Sequence, residues 1–535
     1  MKNVQILDCT LRDGGYLLDA KFGDATIKGI IRKLSEARID VIECGYLKDI
    51  PHTEDSCVFS DVDEVIPYLP KERGNSSYVL FADYSRYKAT NLKPYDGKSV
   101  DGLRECFMKH ERKDAMRIVR IMKDAGYKVY VQPVDIMYYS DKELLELIGW
   151  VNDIEPFAFS MVDTFGSMYV DDIQRLFPLV HHNLSPKIKM GFHSHNNLQL
   201  SSAIAQEFVR LSQGTERQVV VDGTICGMGR GAGNTCTELV AEFLNKKYGY
   251  NYDLDILLDL IDIYMPEIRS KCSWGYSIPF LIAGIYNTHV HNITYLLNKH
   301  NLDTKNMRQI IEKIDPITRK KYDYDNLEKI YIEHIDKSIN DEGAYEVLRS
   351  ELVGKDVLVL CPGASLVLQQ ERIRTYIEHF HPVCISVNYV PAGYKIDYTF
   401  FSNYRRIEGA QEQIGDNFKN MRKIVTSNIN YTDHNTLNVN YNDYIKQGWY
   451  HFDNATIMLL RLLVKVGIGR VVFAGFDGYI QNKDNYATAS MELIRDSETI
   501  ERLNADTKEM LEDVVTHCDI PVDFITDSLY RDVCK

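Results

Sequence analysis

No apolar stretch in this 535-residue chain is long enough to cross a bilayer, since the run Ile457-Met458-Leu459-Leu460 is soon broken by Arg461 and Lys465. A positive charge excess is missing too. Lys and Arg total 62 against 76 Asp and Glu, a formal charge of -14 that argues against non-specific attraction to nucleic acid or an anionic membrane. The 11 cysteines are odd in number, scattered and without a Cys-x-x-Cys pair, which speaks against a disulfide framework or a structural zinc ribbon and for a reducing compartment. Met1-Lys2-Asn3 leads directly into an apolar run, so no signal peptide is expected. These absences predict a soluble cytoplasmic protein with no nucleic-acid partner and no membrane span; they leave a homo-oligomer open.

What is present begins with a repeat. Apolar runs at 4–9, 41–45, 78–83, 103–107, 128–132, 157–162, 188–192 and 218–221 alternate with helical patterns, the signature of a closed parallel sheet of eight strands with outer helices. Between the first two runs, Ile27, Ile30, Ile31 and Leu34 fall at helical spacing opposite Lys28, Arg32 and Lys33, which reads as a crossover helix. The expected fold class is α/β: a barrel over 1–275, a helical segment and linker over 276–350, and an open Rossmann-like domain over 351–535.

Polar residues gather where the runs end, and in such a barrel the C-terminal strand ends build the active site. Arg12 and Asp13 follow the first run, Glu43 closes the second, Asp163 and Thr164 the sixth, and His193 and His195 the seventh. Histidines at i and i+2 on an extended strand point to one side, and Asp13 would add an oxygen ligand. Mixed nitrogen and carboxylate ligation suits Mn, Zn, Co or Fe better than Ca. Arg12 stays protonated and cannot ligate, so its expected task is to hold an anionic group or an oxygen that gains charge. Glu43, Asp163 and Thr164 are expected to face the substrate. For Asp83 and Asp222 the plain reading is a strand-end cap or a structural hydrogen bond.

After the eighth run comes Gly227-Met228-Gly229-Arg230-Gly231-Ala232-Gly233-Asn234. Glycines this dense let the backbone fold closely around a ligand. The run follows the last strand instead of the first, so it is not a dinucleotide fingerprint. Asn234 would either cap the following helix or turn its carbonyl toward a metal.

Leu11-Arg12-Asp13-Gly14, Asp163-Thr164, Gly191 through Leu198 and Gly227 through Asn234, in this order, resemble the metal-dependent lyase and synthase superfamily that includes hydroxymethylglutaryl-CoA lyase, isopropylmalate synthase and 4-hydroxy-2-oxovalerate aldolase. Ile282-Ala283-Gly284-Ile285-Tyr286-Asn287, followed by a helical segment, is similar to the post-barrel region of the aldolases. The resemblance implies Asp13, His193 and His195 as ligands of a divalent metal, Mn foremost with Mg, Co or Zn as alternatives. It also implies Asn234 as a fourth ligand, Arg12 steadying an enolate, and Tyr286 in the catalytic pocket. One position departs from the pattern: the aldolases place a histidine two or three residues after the metal aspartate as general base, where this chain reads Gly14-Gly15-Tyr16. A phenol of ordinary pKa near ~10 is a poor base at neutral pH. Tyr16 is tuned for catalysis, or a metal-bound water does the work, or the reaction differs, or Tyr16 is a plain barrel-mouth aromatic.

The chemistry implied is carbon–carbon cleavage of a 2-oxo acid to an aldehyde and an enolate, or its reverse, aldol condensation. A Claisen-type acyl-CoA synthase or lyase, and a non-catalytic binding protein on a decayed barrel, are the competing readings.

The last domain opens with a strand at 355–360 and the turn Gly363-Ala364-Ser365, whose backbone N–H groups at a helix start offer a phosphate site. Further strands are expected at 384–387, 397–401, 423–426 and 471–475, the last followed by Asp477 across a crevice. Residues 354–535 resemble the bacterial sialyltransferase-like and hydroxymethylpterin-pyrophosphokinase-like families in a Gly-x-Ser-type turn and a later Gly-x-Asp. That resemblance implies a nucleotide or nucleotide-sugar partner, a second, transferase activity, and a place in surface-polysaccharide precursor synthesis.

Overall fold

The computed structural model describes residues 3–300, 302–488, 491, 496–518 and 520–534; Met1 and Lys2, on which part of the signal-peptide expectation rests, lie outside them. The chain forms two compact units: Met1–Ile293 with Asp315–Tyr322, and Thr294–Ile314 with Asp323–Lys535. Within the stretch 276–350, helix Ile278–Tyr286 belongs to the first unit, and helices Thr304–Lys313, Tyr324–Ile335 and Glu342–Leu352 to the second.

The first unit is an eight-stranded parallel barrel. Its strands are β1 Val4–Asp8, β2 Val41–Leu47, β3 Ser77–Asp83, β4 Gly102–Phe107, β5 Lys128–Pro133, β6 Ala158–Asp163, β7 Lys189–Ser194 and β8 Val219–Gly223, each within two residues of the expected run. β1 closes the ring by pairing with both β8 (Val4 beside Val219) and β2 (Leu7 beside Val41). Side chains alternate across such strands, so both faces must be apolar. Leu7, Val41, Val79, Tyr130, Ala158 and Val220 fill the interior. Val4, Ile6, Leu103 and Val129 pack outward against the helices. The crossover helix forms at Asp24–Glu36 and buries Ile27, Ile30, Ile31 and Leu34 as its spacing dictates; each such side chain contributes about 1.5–3 kcal/mol by leaving water.

The second unit holds an open, wholly parallel seven-stranded sheet: β9 Asp356–Leu360, β10 Val383–Val387, β11 Tyr398–Phe401, β12 Lys423–Thr426, β13 Thr436–Val439, β14 Arg470–Ala474 and β15 Val522–Phe524. The order is β13-β12-β11-β10-β9-β14-β15. Connections therefore run one way from β9 to β13 and then return to its other side at β14. β13 and β15 were not legible in sequence because one is a half-buried edge mixing Thr and Asn with Leu and Val, and the other is three residues long. Among the described residues no helix is long and apolar enough to cross a membrane.

Candidate metal centre and active site

Where β1 ends, the amides of Arg12 and Asp13 both donate to the Cys9 carbonyl, at 3.1 and 2.8 Å, so a tight turn presents the two side chains together at the barrel mouth. Arg12 donates from Nε to Glu43 Oε2 (2.8 Å) and from Nη1 to Asp13 Oδ2 (2.7 Å), and its guanidinium lies 4.3 Å from the centre of the Phe81 ring. Its backbone is held as well, because the Tyr46 hydroxyl donates to the Arg12 carbonyl at 2.5 Å. Tyr46 reaches that position through a register shift in β2 between Glu43 and Tyr46. Gly45 makes the shift sterically possible: its φ is +144°, and a Cβ there would lie 2.0 Å from the Cys57 carbonyl oxygen.

Arg104, buried inside β4, pairs with Glu43 Oε1 (3.0 Å) and with Asp222. The His193 ring is held between two carboxylates, with Nδ1 3.0 Å from Asp222 Oδ2 and Nε2 3.2 Å from Asp13 Oδ2. His195 Nε2 stands 3.8 Å from the same oxygen. Burial opposes charge on all these groups and the outcome differs by neighbour. Asp13, beside Arg12 and the two imidazoles, is held well below the ordinary carboxylate range. His193 is raised despite its burial by Asp13 and Asp222. His195 is pushed down to about 3 by burial, so it is neutral at physiological pH, as a metal ligand must be.

The glycine run brings in a further group. Gly233, with φ +86°, approaches Gly227 so closely that a Cβ would lie 2.0 Å from the Gly227 carbonyl oxygen, and the Asn234 amide donates to that same oxygen at 2.9 Å. The folded-back loop sets Asn234 in an antiparallel bridge with His195. Of the two roles open to Asn234, capping does not occur: the helix Thr237–Tyr248 has Cys236 at its N-cap and no side-chain cap.

These residues fit a divalent cation. Asp13 Oδ1 and Asn234 Oδ1 are buried oxygens with no hydrogen-bond partner, an arrangement that costs about 1–3 kcal/mol per group unless something binds there. Arg12 and Arg104 also face three carboxylates, Asp13, Glu43 and Asp222, and two of these, Asp13 and Asp222, hold His193 between them.

Other expected residues fall differently. Tyr16 sits in the turn Gly14–Leu17 with the Arg230 guanidinium 3.8 Å over its ring and Tyr46 5.4 Å away, so it does occupy the mouth. Asp163 and Thr164 are committed to loop structure. The Asp163 carboxylate accepts from the Ser167 amide and the Ser194 hydroxyl, burial raising its pKa to about 6, while Thr164 Oγ1 accepts from the Asp135 amide. Glu43 is spanned by two arginines. All three thus have partners within the chain. Tyr286 lies 5.5 Å under the Arg319 guanidinium, and from the same post-barrel segment it is His289 that feels Arg230 and His195: burial and those neighbours push it down to about 3. Asp83 caps a turn through Ser85, as read. Asp222 does more than its plain reading, since it orients a candidate ligand. Sequence reasoning passed over Arg104, although an arginine beside Leu103 in a strand buried on both faces is a signal in itself; Tyr46, Arg230 and His289 carried none.

In the second unit a cavity of about 890 Å³ opens at the carboxyl ends of the strands, lined by Gly363 after β9, Asn388 after β10, Asn403 after β11, Asn428 after β12 and Asp477 after β14. At the turn expected to cradle phosphate, two of the three backbone donors are engaged within the chain. The Gly363 amide donates to the Gly475 carbonyl, and the Ser365 amide and hydroxyl both donate to Asp477, so these donors are spent within the chain and a carboxylate sits where an anion was expected. Gly363 and Asp477 line the cavity; Ala364 and Ser365 do not.

The family model described as HMGL-like matches residues 104–264. The chain is 26% identical over 315 residues to a 4-hydroxy-2-oxovalerate aldolase of Thermomicrobium roseum, covering 56% of this chain and 84% of that one. It is 27% identical over 297 residues to an oxaloacetate decarboxylase of Mycobacterium tuberculosis, covering 54% and 84%. Among solved structures it is similar to the HMG-CoA lyase of Brucella melitensis at 17% identity, with a TM-score of 0.41, over 50% of this chain and all of that one.

Proposed function

We propose that the barrel is a divalent-metal-dependent aldolase acting on 2-oxo acids, joining a pyruvate enolate to an aldehyde or releasing both from a 4-hydroxy-2-oxo acid. The observation that carries this reading is the buried cluster of Asp13, His193 and His195 with the Arg12 guanidinium bonded to it. The aldolase relatives, by name, act on a substrate of that class. Asp13, His193, His195 and Asn234 would hold the ion, which when bound supplies Lewis-acid polarisation of a keto oxygen. Arg12 has Nε and Nη1 engaged, and among the described residues Nη2 has no partner. That donor is left to meet the oxygen on which enolate charge collects. Asp222 and Arg104 keep the His193 ring in place, and Tyr16 at the mouth is the candidate to accept the proton of the carbinol hydroxyl. Purified protein given pyruvate, Mn and a panel of aldehydes that includes sugar aldehydes is expected to consume pyruvate and aldehyde together, with loss of the reaction on chelation. Tyr16→Phe should keep its metal and lose condensation. Turnover that instead saturates with an acyl-CoA assigns the Claisen reaction, and inactivity across the whole panel with metal bound rejects the aldolase.

The second unit is read as a nucleotide or nucleotide-sugar site with a transferase role, serving surface-polysaccharide precursor synthesis. Support comes from its cavity, which lies at the carboxyl ends of a parallel sheet where strand order reverses beside β9, the place where such sheets take ligands. A sugar aldehyde condensed with pyruvate yields an acidic sugar, a fitting cargo. Cytidine nucleotides and cytidine-linked sugars should raise the melting temperature of the full chain with concentration, by the equivalent of about 2.7 kcal/mol at a hundredfold excess over Kd. No shift with any common nucleoside phosphate or nucleotide-sugar at millimolar concentration makes this unit a structural or partner-binding module.

A further inference from the structure

Cys9 follows β1 directly and belongs to the inner layer of the barrel with Leu7 and Val220. It stands where that layer gives way to charge. Its Sγ, one nitrogen of His193 and one carboxylate oxygen of Asp13 all lie within 4.8 Å of one another, and among the described residues no other three His, Cys, Asp or Glu ligand atoms are gathered so closely. His195 is not one of this trio, although its Nε2 lies 3.8 Å from the Asp13 oxygen. The thiol is fully buried, and its hydrogen is directed to the Gly223 carbonyl at 3.3 Å. A buried cysteine is ordinarily a small apolar filler. Here it has a carboxylate and an imidazole for neighbours, and those are the two ligands the barrel mouth turns inward.

We propose that Cys9 would be a thiolate ligand of the divalent ion, alongside Asp13, His193 and His195. The proposal rests on the reading of that cluster as a metal site. Ligation breaks the S–H bond, sends the proton to solvent, and uses the sulfur lone pair to form the S–metal bond in place of one water of the hydrated ion. A set that includes sulfur selects a thiophilic borderline ion, zinc or cobalt, over magnesium or manganese.

The full chain loaded with Co(II) is the test. Visible d–d bands report that cobalt has entered a low-symmetry protein site, and an intense near-ultraviolet sulfur-to-cobalt charge-transfer band reports a thiolate ligand. Wild type is expected to show both. Cys9→Ser should keep the d–d bands and lose the charge-transfer band, whereas Cys57→Ser and Cys236→Ser keep both. In competition, Cys9→Ser should lose zinc affinity by roughly 10–100-fold, the range seen when a metal site loses one supporting group, and manganese affinity by far less. If Cys9→Ser does not fold, the wild-type spectrum decides. Visible bands without charge transfer overturn the cysteine ligand and leave the Asp13–His193–His195 site standing. No visible bands with the protein folded, and cobalt left free, overturn the metal site itself.

Discussion

His193→Ala should emerge from purification with its divalent metal almost gone, while wild type holds about one ion per barrel. The variant removes a nitrogen ligand, and it also breaks one of the links between the site and its internal support, since His193 Nδ1 is bonded to Asp222 and Asp222 to Arg104. Loss of a partner that merely orients a ligand weakens metal binding by roughly 10–100-fold, and loss of the ligand itself costs at least as much. Asp13 keeps Arg12 as a counter-charge, so the carboxylate is not stranded and the barrel should still melt cooperatively. Elemental analysis after dialysis, read beside the melting curve, makes the measurement. Stoichiometric metal in a folded His193→Ala barrel sinks the site.

Arg12→Lys is expected to separate binding from catalysis. The guanidinium bonds Glu43 and Asp13 at once, and among the described residues its Nη2 has no hydrogen-bond partner. An ammonium group is a compact charge without the planar fork, so it can satisfy one carboxylate but cannot reach both and still present a donor. Metal content should stay near wild type because Asp13, His193 and His195 are untouched. Turnover should fall by about a hundredfold or more, the equivalent of about 3–4 kcal/mol for losing one donor to a developing oxyanion. Glu43 keeps Arg104 at 3.0 Å, which protects the fold from an unpaired buried carboxylate. Unchanged turnover with intact metal content removes Arg12 from the chemistry.

Much of this arrangement was readable along the chain, for reasons that differ from part to part. The barrel strands were legible because a parallel strand buried on both faces has to be apolar throughout, and β1 to β8 are short, apolar and regularly interrupted by helices of 3.6-residue period. Arg12, Asp13, His193 and His195 were legible because each directly follows such a run, and chain ends of parallel strands meet at one mouth whatever their separation in sequence. Spacing could not say what those groups touch. That Glu43 and Asp222 are tied through Arg104, that Asp163 and Thr164 serve their own loops, and that the turn at Gly363 spends its donors on Gly475 and Asp477 depend on pairs up to 118 residues apart. Such pairs leave no local period. Nor could sequence place Cys9 against Asp13 and His193, since inward and outward positions on β1 are sorted by how the ring closes on β8 and β2. Local apolar pattern thus encodes where the strands are and what ends them, while the assignment of each buried charge to its partner arises when the closed barrel removes water and leaves every ionised group to be matched from across the ring.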